Sequence, residues 1–356
     1  MMSSLPELQA GNIQVIETVA AYREWRRRAY EERKSVGFVA TMGALHEGHA
    51  SLVRRSLEDN DLTVVSIFVN PAQFAPHEDL ATYPRTLPHD LSVLRSLAVT
   101  ALAPLSPEGL PVTRTPNAVF VPSVKEMYPS GISQDVGDQR GTFVEVKGFS
   151  HQMEGKTRPT FFRGVATVVT KLFNIIEPTR TYFGQKDIQQ ALLLRRLSRD
   201  LLSSHPTPEN LRIVPTSRDP ITKLALSSRN AYLTPYERTH AAPLLQAALQ
   251  AVRSAWEDRG LSKGQSISLA QDLVTSNAQQ LSEEGLPVDI KLDYIEMNDP
   301  ETFDALSDDV TRSTWERHTP RRPVILSGAM WVGKSKTRLI DNLVLGDAES
   351  VGILSR

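Results

Sequence analysis

The sequence of 356 residues contains no cysteine, which excludes a disulfide-stapled scaffold, a thiolate metal site and a cysteine nucleophile. It also lacks any apolar run approaching the ~20 residues that a membrane-spanning helix needs. Neither charge sign dominates, because 40 Lys and Arg face 41 Asp and Glu, so we expect no nucleic-acid or membrane partner. The first residues lack the charged and apolar regions of a secretory signal, and we therefore expect a cytoplasmic protein.

Short apolar strands alternate with longer helical patterns in the first part of the chain, which predicts a parallel α/β sheet. The predicted strands are GFVAT, LTVVSIFVN, AVFVP, TRTYFG and LRIVPT. Beyond about residue 216 the pattern changes to two long helices (235–257 and 265–282), one strand, a polar insertion near 303–322 and two short strands. The length fits two domains, which we place at residues 1–216 and 217–356.

The stretch TMGALHEGHASLV combines a strand end, a glycine-containing loop and the start of a helix. A helix N-terminus offers free N–H groups and a partial positive charge, which together bind phosphate. His46 and His49 could donate to phosphate oxygens, and Gly48 lets the backbone approach a ligand. The alternative is that two histidines lie on a surface turn. Zinc is disfavoured because the H-E-x-x-H spacing is missed by one residue.

Two further stretches carry charged groups at loop positions. In YFGQKDIQQ, Gly184, Lys186 and Asp187 lie between a strand and a helix, where parallel sheets bind ligands. In LALSSRNAYL, two serines and Arg229 form a compact anion-binding set. The competing interpretations are a solvated lysine beside a helix-capping aspartate, and ordinary surface chemistry for Ser-Ser-Arg.

Amide and charged side chains also follow the second strand and precede the apolar FFRGVATVVTKLFNII helix. Asn70 and Gln73 suit a polar substrate, although Asn-Pro is also plain turn chemistry. Arg158 could bind a carboxylate beside Glu154, although such a pair is more often a surface ion pair.

Residues 328–335, GAMWVGKS, match the P-loop pattern G-x-x-x-x-G-K-[ST]. A working P-loop needs a following helix, whereas the strand-like KTRLIDNLVLGD follows here. We therefore interpret 328–335 as a turn between two strands. The alternatives are a P-loop kinase or ATPase, which would release ADP and depend on Lys334, and a nucleotide-binding regulatory protein.

Seven stretches, taken together and in this order, resemble the pantothenate synthetase (pantoate–β-alanine ligase) family over roughly residues 37–342. They are TMGALHEGH, SIFVNPAQF, YPRTL, VPSVKEMYP, RPTFFRGVATVVTKLFN, YFGQKDIQQ and LALSSRNAYL. The insertion and EVKGFSHQMEGK are similar to its eukaryotic, fungal-like branch. The resemblance implies a HIGH-motif nucleotidyltransferase: a Rossmann-like α/β domain with a smaller α+β C-terminal lid domain. It also implies ATP and Mg²⁺, a homodimer, and ligation of pantoate to β-alanine through a pantoyl-adenylate, with release of AMP and pyrophosphate.

The same resemblance implies roles for individual residues. The catalytic positions are His46, His49, Lys186 and Arg229, with His49 in the family's catalytic histidine position. The ATP-binding positions are Met42, Gly43, Ala44, Leu45, His46, Glu47, Gly48, His49, Gly184, Gln185, Lys186, Asp187, Ser217, Leu226, Ser227, Ser228 and Arg229. The substrate positions are Gln73, Gln190, Asn70, Tyr83, Glu154 and Arg158, and no residue is assigned to a metal. Three departures from the family stand out: Gln185 replaces Glu, Ile188 an aromatic residue, and Lys223 a glycine.

Overall fold

A computed structural model describes residues 13–76, 78, 80–102, 111–283 and 288–355. The chain divides into two compact units. The first contains the described residues up to Ser150, together with Arg158–Phe183 and Leu193–Val214; the second contains His151–Thr157, Gly184–Leu192 and the chain from Pro215 onward. Two short segments of the predicted first domain thus belong to the second unit, and the division at residue 216 remains a prediction.

The first unit is built on a six-stranded sheet with the order β1-β6-β3-β2-β7-β8. Its strands are β1 (Gln14–Ile16), β2 (Val36–Thr41), β3 (Leu62–Ile67), β6 (Ala118–Phe120), β7 (Arg180–Gly184) and β8 (Leu211–Val214), while β4 (Val99–Leu102) and β5 (Pro111–Arg114) form a separate antiparallel pair. The pairs β1/β6, β6/β3, β3/β2 and β2/β7 are parallel. All six residues of β3 are buried, as expected for a strand covered on both faces.

Helices accompany the parallel strands as the alternating pattern predicts. They are α1 (Val19–Glu31), α2 (Glu47–Asp59), α3 (Leu87–Ser96), α4 (Val124–Met127), α5 (Phe161–Ile176) and α6 (Ile188–Asp200). The strand order reverses at β2, because β3 and β6 lie on one side of it and β7 on the other. Open α/β sheets bind ligands at the carboxyl ends of strands at such a point. The loop that follows β2 therefore occupies the position expected of a ligand site.

The second unit carries an antiparallel sheet with the order β11-β10-β9. Its elements are α7 (Leu244–Glu257), α8 (Lys263–Glu283), β9 (Ile290–Asn298), α9 (Arg312–His318), β10 (Val324–Val332) and β11 (Thr337–Leu345). Its apolar core includes Leu249 and Val252 of α7 and Leu326 and Met330 of β10. The polar insertion folds as α9, whose Trp315 packs against this core. The predicted fold class, a Rossmann-like parallel sheet with a smaller α+β unit, is confirmed.

Candidate functional site

The loop after β2 is held in an unusual backbone conformation. Gly43 and Ala44 have φ values of 86° and 51°, in the left-handed region that favours glycine. The buried Asp90 carboxylate accepts hydrogen bonds from Ala44 N (3.2 Å) and Leu45 N (2.8 Å). A Cβ on Gly43 would lie 3.0 Å from Asp90 Oδ2. Glycine and a buried acid together fix the path of the chain into α2.

Asp90 was not predicted, although its position gives a signal. It lies four residues before the buried Leu94 on α3, so it falls on the face that a helix turns toward the core. A carboxylate on such a face needs donors, because burying a charge without them is costly. The Thr86 hydroxyl, 3.2 Å from each carboxylate oxygen, supplies a third donor.

His46 and His49 lie together at the first turn of α2. Their ring centroids are 4.2 Å apart, and both side chains are half-buried. Gly48 N donates to His46 Nδ1 (3.1 Å), and His46 N donates to His49 Nδ1 (3.3 Å). A nitrogen that accepts a hydrogen bond carries no proton, so each neutral ring is protonated on Nε2. Both histidines can therefore donate through Nε2–H, and they lie at the positive end of the α2 helix dipole.

The backbone around this turn adds to its suitability for an anion. Glu47 is exposed and its carboxylate is paired with Arg54 within the same helix. Its negative charge is therefore partly compensated, while the first N–H groups of α2 supply the donors that bind phosphate at helix N-termini. The arrangement can stabilise negative charge on a nucleotide phosphate.

Asn70 is buried, and all its hydrogen-bonding capacity is used within the protein. Its Oδ1 accepts from the Tyr128 hydroxyl (2.6 Å) and Ala72 N (3.3 Å), and its Nδ2 donates to Gln73 Oε1 (3.0 Å) and the Gly164 carbonyl (3.2 Å). Burial raises the pKa of Tyr128, which keeps its hydroxyl a donor. Asn70 therefore fixes the turn that presents Gln73.

Gln73 lies near the loop that follows β2, since its Nε2 is 3.0 Å from Met42 Sδ. A thioether is a weak acceptor, so this amide can exchange that contact for a polar ligand at little cost. The turn carrying Gln73 packs directly on α5: a Cβ on Gly164 would lie 2.1 Å from the Ala72 carbonyl oxygen.

Arg158 is bound by an acid of its own unit. Its guanidinium donates twice to the Glu78 carboxylate (2.9 Å each) and once to the Gln73 carbonyl (3.1 Å), and it covers the Phe161 ring. The Arg158 guanidinium thus already holds an internal carboxylate, and its expected role toward a substrate carboxylate stays a prediction. Tyr83, half-buried, packs edge-on against Phe74 at a centroid distance of 5.7 Å.

Glu154 is the first predicted site residue that belongs to the second unit. Its carboxylate accepts from Arg338 (2.6 and 3.1 Å) and from the Tyr294 hydroxyl (2.9 Å). Burial, and next the charge of Glu154, raise the pKa of Tyr294 well above its ordinary range, so the hydroxyl remains a donor. Glu154 is thus a structural acceptor in this unit, and not the surface ion pair of the alternative interpretation.

The segment before α6 forms a short 3₁₀ turn, Gln185–Asp187. Lys186 Nζ lies 3.6 Å from Asp187 Oδ1, and the lysine side chain is mostly buried. Gln190 is half-buried on the first turn of α6, while its neighbour Gln189 is buried and donates to the Gln152 carbonyl (2.9 Å). Ile188, which replaces an aromatic residue of the family, is only 3% exposed and fills apolar space.

The loop of residues 217–229 is a small hairpin. Leu226 N donates to the Ser217 carbonyl (3.0 Å), and the Ser227 hydroxyl caps the next turn by accepting from Arg229 N (3.3 Å). Ser228 is exposed and Arg229 half-buried. Lys223 has a left-handed φ of 62°, a conformation that favours glycine.

The P-loop interpretation is excluded. Gly328 lies within β10 rather than in a loop, and the chain turns only at 333–336 before entering β11, with no helix. Lys334 is exposed on this turn. The predicted turn at 328–335 was therefore too long, because residues 328–332 pair in continuous register with β11, and with β9 across a register shift between Ala329 and Met330.

The described residues contain no group of three or more His, Asp or Glu side chains that could hold a metal ion. None of the described helices combines the length and the apolarity needed to cross a membrane.

A family model described as pantoate–β-alanine ligase matches residues 14–344. The chain is 41% identical over 344 residues to the pantoate–β-alanine ligase of Saccharomyces cerevisiae, covering 94% of this chain and 100% of the relative. It is 40% identical to pantothenate synthetase of Thermotoga neapolitana, with 94% and 100% covered.

Solved structures agree with these relatives. The pantothenate synthetase of Thermus thermophilus superposes with a TM-score of 0.69 at 36% identity, covering 93% of this chain and 99% of that one. The Francisella tularensis enzyme, solved with β,γ-ATP and β-alanine, gives a TM-score of 0.60 at 28% identity, covering 94% and 98%. This chain therefore belongs to the pantoate–β-alanine ligase family.

Proposed function

We propose that this protein joins pantoate to β-alanine at the expense of ATP, forming pantothenate, AMP and pyrophosphate through a pantoyl-adenylate. The observation that carries the proposal is the pair of histidines at the start of α2, each with Nδ1 accepting a backbone N–H. Two Nε2–H donors at a helix N-terminus suit charge that builds up on phosphate oxygens.

The first step is attack of a pantoate carboxylate oxygen on the α-phosphorus of ATP, which breaks the bond to pyrophosphate. His46 and His49 donate to phosphate oxygens, and the cationic Lys186 and Arg229 stabilise the additional negative charge. In the second step, the β-alanine amine attacks the acyl carbonyl, AMP leaves with the electrons of the acyl–oxygen bond, and the nitrogen releases one proton to solvent. Mg²⁺ enters as part of the MgATP substrate, since phosphate oxygens are ligands that it prefers.

For ATP, we propose contacts from the loop Met42–His49, the segment Gly184–Asp187, Ser217 and the turn Leu226–Arg229. Ser217 contributes through its backbone, and Glu47 through its N–H group rather than its paired carboxylate. For Glu47 this assignment follows from the ion pair that its carboxylate already makes with Arg54.

For pantoate, we propose direct contacts from Gln73 and Gln190, with Gln73 also reaching β-alanine and Tyr83 contributing to the pocket wall. Asn70, Arg158 and Glu154 act by positioning their neighbours, because a substrate would have to displace strong internal hydrogen bonds to reach them. We further propose a cytoplasmic homodimer, which light scattering on the purified protein would check by its mass.

The deciding experiment identifies the nucleotide products when purified protein meets MgATP and pantoate, with and without β-alanine. We expect AMP and pyrophosphate, with sustained turnover only when both acids are present. ADP, or ATP consumption that is indifferent to pantoate, would refute the ligase mechanism.

His49→Ala then tests the role of the histidine pair. It should lower kcat about 100-fold to 1,000-fold, as loss of one transition-state donor does elsewhere. The matched control is His318→Ala, which removes an exposed histidine on α9 and should leave kcat unchanged.

A further inference from the structure

Three residues of β11, Arg338, Asp341 and Asn342, each bind a different segment that carries proposed site residues. Arg338 binds Glu154 in the segment 151–157. Asp341 binds Arg218 at the base of the 217–229 hairpin, and Asn342 binds the turn that contains Lys186. All of these residues belong to the second unit. We refer to the three as the β11 anchors.

Asn342 makes the most demanding of these contacts. It is 1% exposed, and its Nδ2 donates to two successive carbonyls, those of Gln185 (2.8 Å) and Lys186 (2.9 Å). Its Oδ1 accepts from Gln185 Nε2 (3.3 Å). Two N–H donors and an acceptor on one short side chain are available only from a carboxamide. The Gln185 side chain, which departs from the family's Glu, supplies the matching donor.

Asp341 holds the neighbouring segment from the adjacent position on the strand. Its carboxylate is 4% exposed and accepts from both terminal nitrogens of Arg218 (2.6 and 2.8 Å). Arg218 also donates to the Lys223 carbonyl, so it ties the two sides of the hairpin together. Asp341 Oδ1 accepts in addition from Asn342 N (2.8 Å). Adjacent residues of one strand thus set where the Lys186 turn and the Arg229 hairpin lie relative to each other.

We propose that Asn342 is a positioning residue for Lys186 in adenylate formation, an inference that rests on the catalytic role proposed above for Lys186. The two carbonyls that Asn342 binds flank the Lys186 Cα and fix the backbone from which its side chain projects. The P-loop-like stretch has a structural place beside these anchors: Gly328 pairs within β10, and Gly333 begins the turn that leads into the strand bearing them.

The test uses Asn342→Asp, which keeps the shape of the side chain but replaces both donors with an oxygen facing two carbonyl oxygens. We expect the single-turnover rate of pantoyl-adenylate formation to fall about thirtyfold, corresponding to two lost hydrogen bonds. The matched control is Asn298→Asp, which changes an equally buried asparagine of β9 that donates to the Phe303 carbonyl. An equal rate loss in the control would overturn the proposal, because it would show a general effect on the second unit.

A double-mutant cycle with Lys186→Met separates positioning from stability. If Asn342 acts through Lys186, Asn342→Asp should change the residual rate by less than about twofold in the Lys186→Met background, within the error of additivity. The same fold-loss in both backgrounds would overturn the proposal. Should Asn342→Asp fail to fold, Asn342→Ala is used in the same cycle.

Hydrogen exchange of the peptide covering residues 184–192 tests the contact independently of catalysis. Asn342→Asp should speed exchange there more than Asn298→Asp does, and unchanged exchange would overturn the inference. If the wild-type protein formed no adenylate, the proposed function would fail, whereas the exchange result would still judge the contact between Asn342 and the Lys186 turn.

Discussion

Lys223 allows a measurement of how much a strained backbone conformation destabilises the 217–229 hairpin. Its φ of 62° lies in the left-handed region, where the family's glycine carries no steric penalty. The hairpin closes around it, since Lys223 N donates to the Asp219 carbonyl (3.0 Å) and Asp219 N to the Leu224 carbonyl (2.9 Å). Lys223→Gly should therefore stabilise the hairpin.

The magnitude follows from two opposing effects. A non-glycine residue in the left-handed region costs about 1–2 kcal/mol. Glycine loses about 0.5–1 kcal/mol more conformational entropy when it is ordered. We expect Lys223→Gly to stabilise the closed hairpin by about 0.7 kcal/mol relative to Lys223→Ala. The alanine variant is the proper reference because it keeps the strain while removing the hydrogen bond from Lys223 Nζ to the Pro220 carbonyl.

The assay is hydrogen exchange in the peptide covering 217–226, where Leu226 N donates across the hairpin to Ser217. A difference of about 0.7 kcal/mol corresponds to about threefold slower exchange in the glycine variant. Equal rates in the glycine and alanine variants would refute the strain argument. Faster exchange in the glycine variant would mean that its entropy outweighs the relief of strain.

Other predictions concern the loop that follows β2, the P-loop-like turn and the stability of the 217–229 hairpin at low pH. Asp90→Asn places an NH₂ group against a backbone N–H of the loop after β2, so a charge-assisted hydrogen bond is lost. We expect the KM for ATP to rise about tenfold or more. His89→Asn, at the exposed neighbouring position, should leave this KM unchanged. Lys334→Ala should leave ATP turnover unchanged, whereas Lys186→Ala should abolish it. Loss of ATP turnover in Lys334→Ala would contradict the exclusion of a P-loop. Hydrogen bonds from Thr222, first of all from its backbone N–H, lower the pKa of Asp219 in the folded protein. The ionised Asp219 therefore stabilises the hairpin fully above the pKa of an unfolded aspartate, about 3.9. This stabilisation is lost as the pH falls through the lower pKa of the folded state. Hydrogen exchange of residues 217–226, corrected for intrinsic rates, should therefore become faster in the wild type as the pH falls through that range. Asp219→Asn should remove this pH dependence.

The sequence predicted best those elements whose signal is local and periodic. The apolar repeat of FFRGVATVVTKLFNII predicted α5 from its first residue to its last. The three-residue β1 was missed, because its pairing partner Ala118 lies far along the chain and so short a segment carries no period. The four-residue β5 was missed because it is also too short to carry a period, although its partner β4 is close in sequence. A long helix predicted over 235–257 is interrupted by a π-turn at Glu237–Ala241 before α7 begins.

The candidate site was predicted at the level of motifs, and its supporting contacts were not. His46, Lys186 and Arg229 lie in recognisable strand–loop–helix or hairpin contexts, so their stretches could be found from sequence. Asp90 and Asn342 are single polar residues whose partners lie far away in sequence, and no local pattern identifies such a contact. Burial decides their importance, and burial follows from the assembled fold.

The β11 anchors have a consequence for biosynthesis, because chains emerge from the ribosome N-terminus first. A nascent chain that ends at Lys336 already contains every residue proposed to contact ATP, but it lacks Arg338, Asp341 and Asn342. Its Lys186 turn and its 217–229 hairpin therefore have no strand to bind. We therefore predict that the proposed ATP-binding segments of the second unit take up their final positions only when β11 joins β10, so that a chain terminated before β11 lacks these supports.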